Sequence, residues 1–324
     1  MTSIAVITVN YGTADLALAA AQSVFDRSHD GPDIEVHLID NASPGDDAAR
    51  IQQAIADRDW GDRIVFYPET ENHGFGRGNN VALHALAKRP EPPDYVFLLN
   101  PDAQLKTNTI AELVAFMEAH PKAVVVGAGI DRPDDGPAVN AAFRFPTAVS
   151  EFAGGARIGP ISHLTKRWSV SISPQAPTQK VDWVAGAALL ARFSALAEVG
   201  FFDPDFFLYF EEAELMHRLQ AEGGQVWYCS EARVEHVAGA ATGVNAARRE
   251  ALPEYWFESW RFYFCKTHSP LGARLCALSR LSGSYLHLLI SRLRKKPPSH
   301  PGNFPSDFYR LAVRPLFGRT RLEN

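Results

Sequence analysis

Four short apolar runs, each ending in a polar cluster, constrain the fold of this chain more than any other feature. Ile4 to Val9 runs into Asn10, Tyr11 and Gly12, and Ile34 to Ile39 into Asp40 and Asn41. Ile64 to Tyr67 leads to a loop from Asn72 to Asn80, and Tyr95 to Leu99 stops at Asn100, Pro101 and Asp102. Runs this short and this apolar fit strands buried on both faces. Between them, helices are predicted over about 14–25 and 46–57, and from the glycine loop to about Ala87. The alternation of strand and helix implies an α/β fold with a mostly parallel central sheet flanked by helices. In such a sheet the carboxyl ends of the strands share one edge, and that edge is where ligands bind. Thr8, Asn10, Asp40, Asn41, the Asn72 to Asn80 loop, Asn100 and Asp102 should therefore converge on one crevice.

The chemistry of that crevice follows from residue type. Pro101 ends strand pairing because it has no N–H to donate. Asn100 and Asp102 offer oxygens that suit a hard divalent cation, which in turn suits phosphate. Gly74, Gly76 and Gly78 are spaced G-x-G-x-G after the third strand. This is neither a dinucleotide fingerprint nor a Walker motif. Glycines there would let backbone approach a ligand closely, with Arg77 and a helix start near a phosphate.

The second half reads less regularly. Asp131 to Lys180 is rich in Pro, Gly and Ala and is expected to be irregular, with Arg144, Arg157, Lys166 and Arg167 as solvated surface charges. Apolar patterning returns over Val181 to Ala191, where Trp183 precedes Ala185, Gly186 and Ala187. Phe201 to Phe210 is aromatic and apolar and ends at Glu211 and Glu212. A carboxylate beside an apolar wall gains proton affinity and can act as a general base.

Charge is unevenly spread. The chain carries a net charge of −5, which argues against nucleic-acid binding, yet from Arg261 onward there are 12 Lys/Arg and 2 Asp/Glu. Leu271, Leu275, Leu278, Leu281, Tyr285, Leu289 and Leu293 recur at helical spacing in that basic tail. Two readings stay open: a helix packed on this chain or on a second subunit, giving a homo-oligomer, or one lying on anionic lipid. Three widely spaced cysteines suit reduced thiols in the cytoplasm. No apolar run is long enough for a membrane span, and the first residues lack the pattern of a secretory signal.

Taken in order, these motifs resemble the inverting glycosyltransferases of family 2, in the rhamnosyltransferase-like branch. The matching pieces are Thr8-Val-Asn-Tyr11, Asp40-Asn41, Asn72-x-Gly-Phe-Gly-x-Gly-Asn79, Leu98-Leu-Asn-Pro-Asp-Ala103, Trp183-Val-Ala-Gly-Ala187, Gly200 to Glu212, and His236. The resemblance covers roughly residues 3 to 268. It implies a GT-A fold over residues 1–250, with a nucleotide-sugar half to about 130 and an acceptor half beyond, and a helical basic extension over 251–324. It implies that Thr8, Asn10, Tyr11, Asp40, Asn41, Asn72, Gly74, Phe75, Gly76, Arg77, Asn79, Asn100 and Asp102 hold a nucleotide-diphospho-sugar, dTDP- or UDP-linked. Within that set, Asp40 would accept a hydrogen bond from the base. Asn100 and Asp102 take the places of the family's D-x-D, so that Asp102 and His236 would hold Mg²⁺ or Mn²⁺. Trp183, Gly186 and Ala187 would meet sugar or acceptor. Glu212, with Glu211 beside it, takes the place of the catalytic base, in Glu-Glu where the family usually has Glu-Asp. The acceptor would be a saccharide or lipid-linked saccharide, handled in the cytoplasm or at the cytoplasmic face of the membrane. A second class stays open, a nucleotide-sugar-binding protein of the same fold with impaired catalysis.

Overall fold

The computed structural model describes residues 2–27, 33–58, 60–133, 136–237 and 251–318. The expected boundary at 250 lies outside the described residues. Strands β1 (Ser3–Asn10), β2 (Asp33–Asp40), β3 (Ile64–Pro68) and β4 (Tyr95–Leu99) alternate with helices α1 (Ala14–Phe25), α2 (Asp47–Asp57) and α3 (Gly74–Ala87). Then come β5 (Ala103–Leu105), α4 (Thr109–Ala119), β6 (Ala123–Asp131), β7 (Ala142–Phe143), α5 (Ala148–Ala156) and α6 (Gly159–Leu164). The chain continues through β8 (Gln179–Val181), β9 (Trp183–Val184), β10 (Ala188–Arg192), α7 (Phe193–Glu198), α8 (Glu211–Ala221) and β11 (Gln225–His236). Helices α9 (Glu254–Thr267) and α10 (Pro270–Leu293) and short helical turns from Phe304 to Phe317 complete it.

The main sheet has nine strands in the order β3-β2-β1-β4-β10-β6-β11-β5, with β8 also on β11. The first four are parallel, as expected. Beyond them the sheet is mixed, because β10 starts beside Leu99 at the carboxyl end of β4 and runs back antiparallel between β4 and β6. That entry point brings Ala187 to the ligand edge, where its carbonyl accepts from Asn100 N at 2.9 Å. On the other side, β11 pairs with β5 so that His236 lies opposite Ala103. Val237 N then donates to the Asp102 carbonyl at 3.0 Å. Strand register alone thus carries a histidine to an aspartate 134 residues away.

Two expectations need correction. The segment after Asp131 is not irregular throughout, since it holds α5, capped by Thr147 and Ser150 in a reciprocal box. The glycine loop is not a loop beyond Asn72 and His73: Gly74, Gly76 and Gly78 are the opening turns of α3. Each glycine costs about 1 kcal/mol of helix propensity relative to alanine. Packing offsets that cost, because a Cβ on Gly76 would stand 3.1 Å from the Phe202 side chain and one on Gly78 2.9 Å from Val9.

There are two apolar cores. The first surrounds the sheet, and the second gathers Phe206, Phe257, Trp260, Tyr263, Phe264 and Phe308 beneath α9 and α10. The aromatic segment before α8 joins them, with Phe202 buried in the first and Phe206 in the second. Helix α10 lies against α5 on a face of small residues that includes Ala273, Ala277, Gly283 and Ser284. The contact is backbone on backbone: a Cβ on Gly155 would meet the Arg280 carbonyl oxygen at 2.4 Å, and one on Gly283 the Phe152 carbonyl oxygen at 2.3 Å. The leucines that mark this helix in the sequence point outward. Leu271, Leu275, Leu278, Tyr285, Leu289 and Leu293 are between 48% and 76% exposed.

Candidate active site

A cleft of about 410 Å³ opens at the carboxyl ends of β1, β2 and β4 and is closed on the far side by the start of α8. Of the predicted site residues, it gathers Tyr11, Asn41, Asn72, Gly74, Phe75, Asn100, Asp102, Ala187, Glu211, Glu212 and His236. Phe207, Leu208, Tyr209 and Tyr255 also line it and were not foreseen as site residues. Their signal in the sequence was aromatic density alone, which a buried core produces equally well.

Several predicted ligand residues are instead bonded to one another behind the cleft wall. Asn10 Nδ2 donates to Asp40 Oδ1 at 2.9 Å, to Ser43 Oγ at 3.1 Å and to Asp47 Oδ2 at 3.2 Å. Its Oδ1 accepts from Thr13 N and Oγ1. Asp40 is 2% exposed and also accepts from Ser43 Oγ and N, so both of its oxygens are occupied within the loop. Thr8 lies inside β1, buried, with no hydrogen-bond partner for Oγ1. Arg77 Nε donates to the His73 carbonyl and Asn79 Nδ2 to the Phe75 carbonyl, one helical turn back in each case. Gly76 meets Phe202. Trp183 stacks on Phe143 with ring centroids 4.0 Å apart, outside the cleft. These side chains shape the site from behind.

Asn41 holds the rim itself. Its Nδ2 donates to Asn72 Oδ1 and to the Gly74 carbonyl, and its Oδ1 accepts from His73 N. Gly74 has φ +73°, and a Cβ there would stand 1.8 Å from the Phe207 carbonyl oxygen. The same carbonyl accepts from Phe75 N at 3.1 Å. Asn80 pins the other end of the aromatic segment, donating to the Phe202 carbonyl at 2.8 Å and accepting from Phe202 N at 3.1 Å.

Held at both ends, the segment turns sharply into α8. Tyr209 and Phe210 both have left-handed backbone, with φ of +72° and +69°. Non-glycine residues there carry strain that the surroundings must hold in place, a pattern that clusters at functional sites. Glu211 and Glu212 follow at the first turn of α8. Glu211 is 2% exposed, and its Oε2 has no hydrogen-bond partner. Burial first, then the neighbouring Glu212, raise its proton affinity well above the usual carboxylate range. Glu212 is only partly buried and accepts from Gly186 N at 3.3 Å. Desolvation raises its proton affinity too, against the helix-start and Gly186 N–H groups that favour the charged form.

Asp102 Oδ1 and His236 Nε2 are 2.8 Å apart, and both line the cleft. Among the described residues no three His, Cys, Asp or Glu side chains cluster as a complete metal site. An oxygen and a nitrogen donor side by side do fit a divalent cation that takes its other ligands from diphosphate oxygens and water.

A parallel-to-mixed sheet with a ligand edge of this kind, facing two carboxylates at a helix start, is the GT-A arrangement of glycosyltransferases. Solved structures agree on the fold. GalNAc-T7 with UDP, GalNAc and Mn²⁺ superposes with a TM-score of 0.56 at 14% identity, covering 98% of this chain and 56% of that one. The mannosyltransferase PcManGT from Pyrobaculum calidifontis, in complex with GDP-Man and Mn²⁺, gives 0.53 at 14% identity, covering 98% and 88%. Residues 3–167 match glycosyl transferase family 2, and the chain belongs to that family. It is similar to the N-acetylglucosaminyl-diphospho-decaprenol L-rhamnosyltransferase of Mycobacterium tuberculosis, 29% identical over 226 residues, which is 66% of this chain and 70% of that one. It also resembles the rhamnosyltransferase WbbL of Escherichia coli, 29% identical over 170 residues, or 51% of this chain and 61% of that one.

Proposed function

We propose that this family 2 glycosyltransferase of glycan biosynthesis inverts the donor's anomeric centre in a single displacement. It moves a sugar, rhamnose by the likeness to the two rhamnosyltransferases, from a dTDP- or UDP-linked donor. The acceptor is a hydroxyl of a saccharide or lipid-linked saccharide. One observation carries this reading: Glu212 lines both the 410 Å³ cleft and a second hollow of about 770 Å³ on its other side. A base so placed can take the acceptor's proton from one hollow while the donor's anomeric carbon waits in the other. Of the two glutamates, only Glu212 is open to both. The acceptor oxygen then bonds to the anomeric carbon, the bond to the diphosphate oxygen breaks, and Glu212 keeps the proton. Tyr11, Asn41, Asn72, Gly74, Phe75 and Asn100 are placed to contact the nucleotide-sugar, with Asn10, Asp40, Thr8, Gly76, Arg77 and Asn79 supporting them. Gly186 and Ala187 orient the base and the sugar. Asp102 and His236 would hold Mg²⁺ or Mn²⁺, which when bound neutralises charge gathering on the diphosphate. Supplying a panel of nucleotide-sugars with a saccharide acceptor and reading product configuration by NMR tests the reading. A product that retains configuration, or binding of nucleoside diphosphate with no turnover of any donor, overturns it. The second result would favour the binding-only alternative.

In this reading, residues 1–250 are the catalytic domain and residues 251–324 an extension that seats on the cytoplasmic face of a membrane. No helix among the described residues is long and apolar enough to cross one. The exposed leucines of α10 fall within about 40° of one line along the helix, at 100° per residue. Arg274 and Arg292 flank them, and Arg294, Lys295 and Lys296 follow; residues 270–296 contain no Asp or Glu. An apolar stripe with a basic border suits anionic lipid. Cosedimentation with anionic vesicles at low salt, lost at high salt, is the expected result. A monodisperse dimer that ignores vesicles would assign the stripe to a subunit contact instead.

A further inference from the structure

The hollow on the far side of Glu212 is lined by Trp168, Trp183 and Trp256 together with Arg157 and Arg280. Arg157 was expected to be an ordinary surface charge. It is exposed, as expected, and is the left-handed residue, φ +48°, that closes α5. It has no carboxylate partner among the described residues, and it donates to the Ser299 carbonyl at 2.7 Å. Arg280 reaches the same end from α10, where its contact with Glu151 is 3.6 Å and its buried Nε has no hydrogen-bond partner. Glu151 is buried, already accepts from Trp260 Nε1 at 2.9 Å, and is pushed by burial toward its neutral form. Arg280 therefore has only a long contact to a poorly ionising carboxylate, and Arg157 has no contact to it. Burial and the neighbouring Arg280 both depress Arg157's proton affinity. Two guanidiniums lining an aromatic hollow without a close carboxylate can pair with an anion.

We propose that Arg157, backed by Arg280, is an acceptor subsite that takes the phosphate or diphosphate of a glycosyl phosphate. The sugar then lies along the tryptophans with its hydroxyl at Glu212. This rests on the reading of the hollow as the acceptor groove. Indole faces stack on the apolar faces of sugars, whereas a planar guanidinium pairs with phosphate oxygens in its own plane.

Calorimetry with the donor cleft saturated by nucleoside diphosphate tests this. The probes are N-acetylglucosaminyl diphosphate on a short isoprenoid, the uncharged octyl N-acetylglucosaminide, and inorganic diphosphate alone. The wild type should favour the glycosyl diphosphate over both others by about tenfold or more, the worth of one charge-assisted hydrogen bond. Arg157→Gln should lose that preference, Arg157→Lys should keep part of it, and neither should change affinity for the octyl glycoside. Unchanged nucleoside-diphosphate affinity in the variants shows that the fold and donor cleft persist. The proposal is overturned if wild type shows no preference, if inorganic diphosphate binds as well as the glycosyl diphosphate, or if Arg157→Gln weakens both glycosides equally. Failure of wild type to bind nucleoside diphosphate at all would count against the donor reading, and it is read out separately.

Discussion

The side of the cleft proposed to take the donor is lined from the ends of strands that follow one another within residues 3–105, each delivering its polar cluster to the same edge; the opposite side is the proposed acceptor side. The acceptor side is lined by an aromatic segment and a helix start whose supports lie far away in sequence. Asn80 holds Phe202 across 122 residues, Ser259 Oγ donates to the Leu208 carbonyl across 51, and Trp260 reaches Glu151 across 109. The difference shows in how polar groups are used. On the donor side, Asn10, Asp40, Ser43 and Asp47 satisfy one another, so the wall is rigid before any ligand arrives. Thr8 Oγ1 and Ala42, at φ +57°, are the donor side's exceptions. On the acceptor side, by contrast, Glu211 Oε2 and Arg280 Nε, both on chargeable groups, are buried without a hydrogen-bond partner, and the successive residues Tyr209 and Phe210 hold left-handed backbone. The first arrangement positions; the second stores unfavourable charge and strain where a reaction can use them.

The sharpest way to break this comparison is to neutralise the glutamates one at a time. Glu212→Gln should keep nucleoside-diphosphate affinity and lower kcat by roughly 10²-fold, while Glu211→Gln costs less. Steady-state rates with each variant give the ranking, and the reverse order would move the base to Glu211.

A smaller effect is expected where α5 and α10 touch. Gly155→Ala or Gly283→Ala forces a Cβ into opposing backbone and should cost about 1–3 kcal/mol of stability. Urea denaturation reads this directly. If either alanine is tolerated without loss, the two helices are not locked at their glycines.

On the donor side, Asn10→Ala should cost about 1–3 kcal/mol by leaving Asp40, Ser43 and Asp47 without their common donor. Its effect on nucleotide affinity should follow only through that loss. Weakened donor binding at unchanged stability would mean that the cluster touches the ligand, and the distinction between the two sides would fail.

The smallest effect is a pH dependence. Glu211 has its folded-state pKa raised above the unfolded value. Its contribution therefore favours the fold at acid pH and is lost as pH rises through the folded pKa. Compared with wild type, Glu211→Gln should gain in Tm on going from acid to neutral pH. A constant difference across that range would show that Glu211 does not change its charge there.

The fold of the donor side was legible because its signals are local. Apolar runs bounded by turn residues located all four strands to within a residue, and α1 from Ala14 to Phe25 as it stands. What was misread depended on partners elsewhere. The glycines of α3 look like a loop because glycine disfavours helix; only Phe202, Val9 and Phe207 make them necessary. The leucines of α10 announced a helix correctly, but periodicity does not say which face is buried, and here the small residues are inside. In the candidate site, residue type pointed to Asp102 and the Glu211–Glu212 pair and the family resemblance to His236, and all four line the cleft. Residue type did not separate Tyr11 and Asn41, which line the cleft, from Asn10 and Asp40, which bond to each other behind it. Arg157 is exposed as its sequence suggests, but its sequence neighbours say nothing of Arg280, which lines the same hollow.

The seat of the Phe207 carbonyl against Gly74 has a consequence for anyone recombining this enzyme with its relatives. A crossover placed between residues 75 and 200 would separate the glycine that vacates the seat from the carbonyl that fills it. It would also separate Asn80 from Phe202 wherever it fell beyond residue 80. The start of α3 and the aromatic segment therefore form one structural unit. A workable hybrid must inherit α3 and the aromatic segment from the same parent, whatever the origin of the sheet between them.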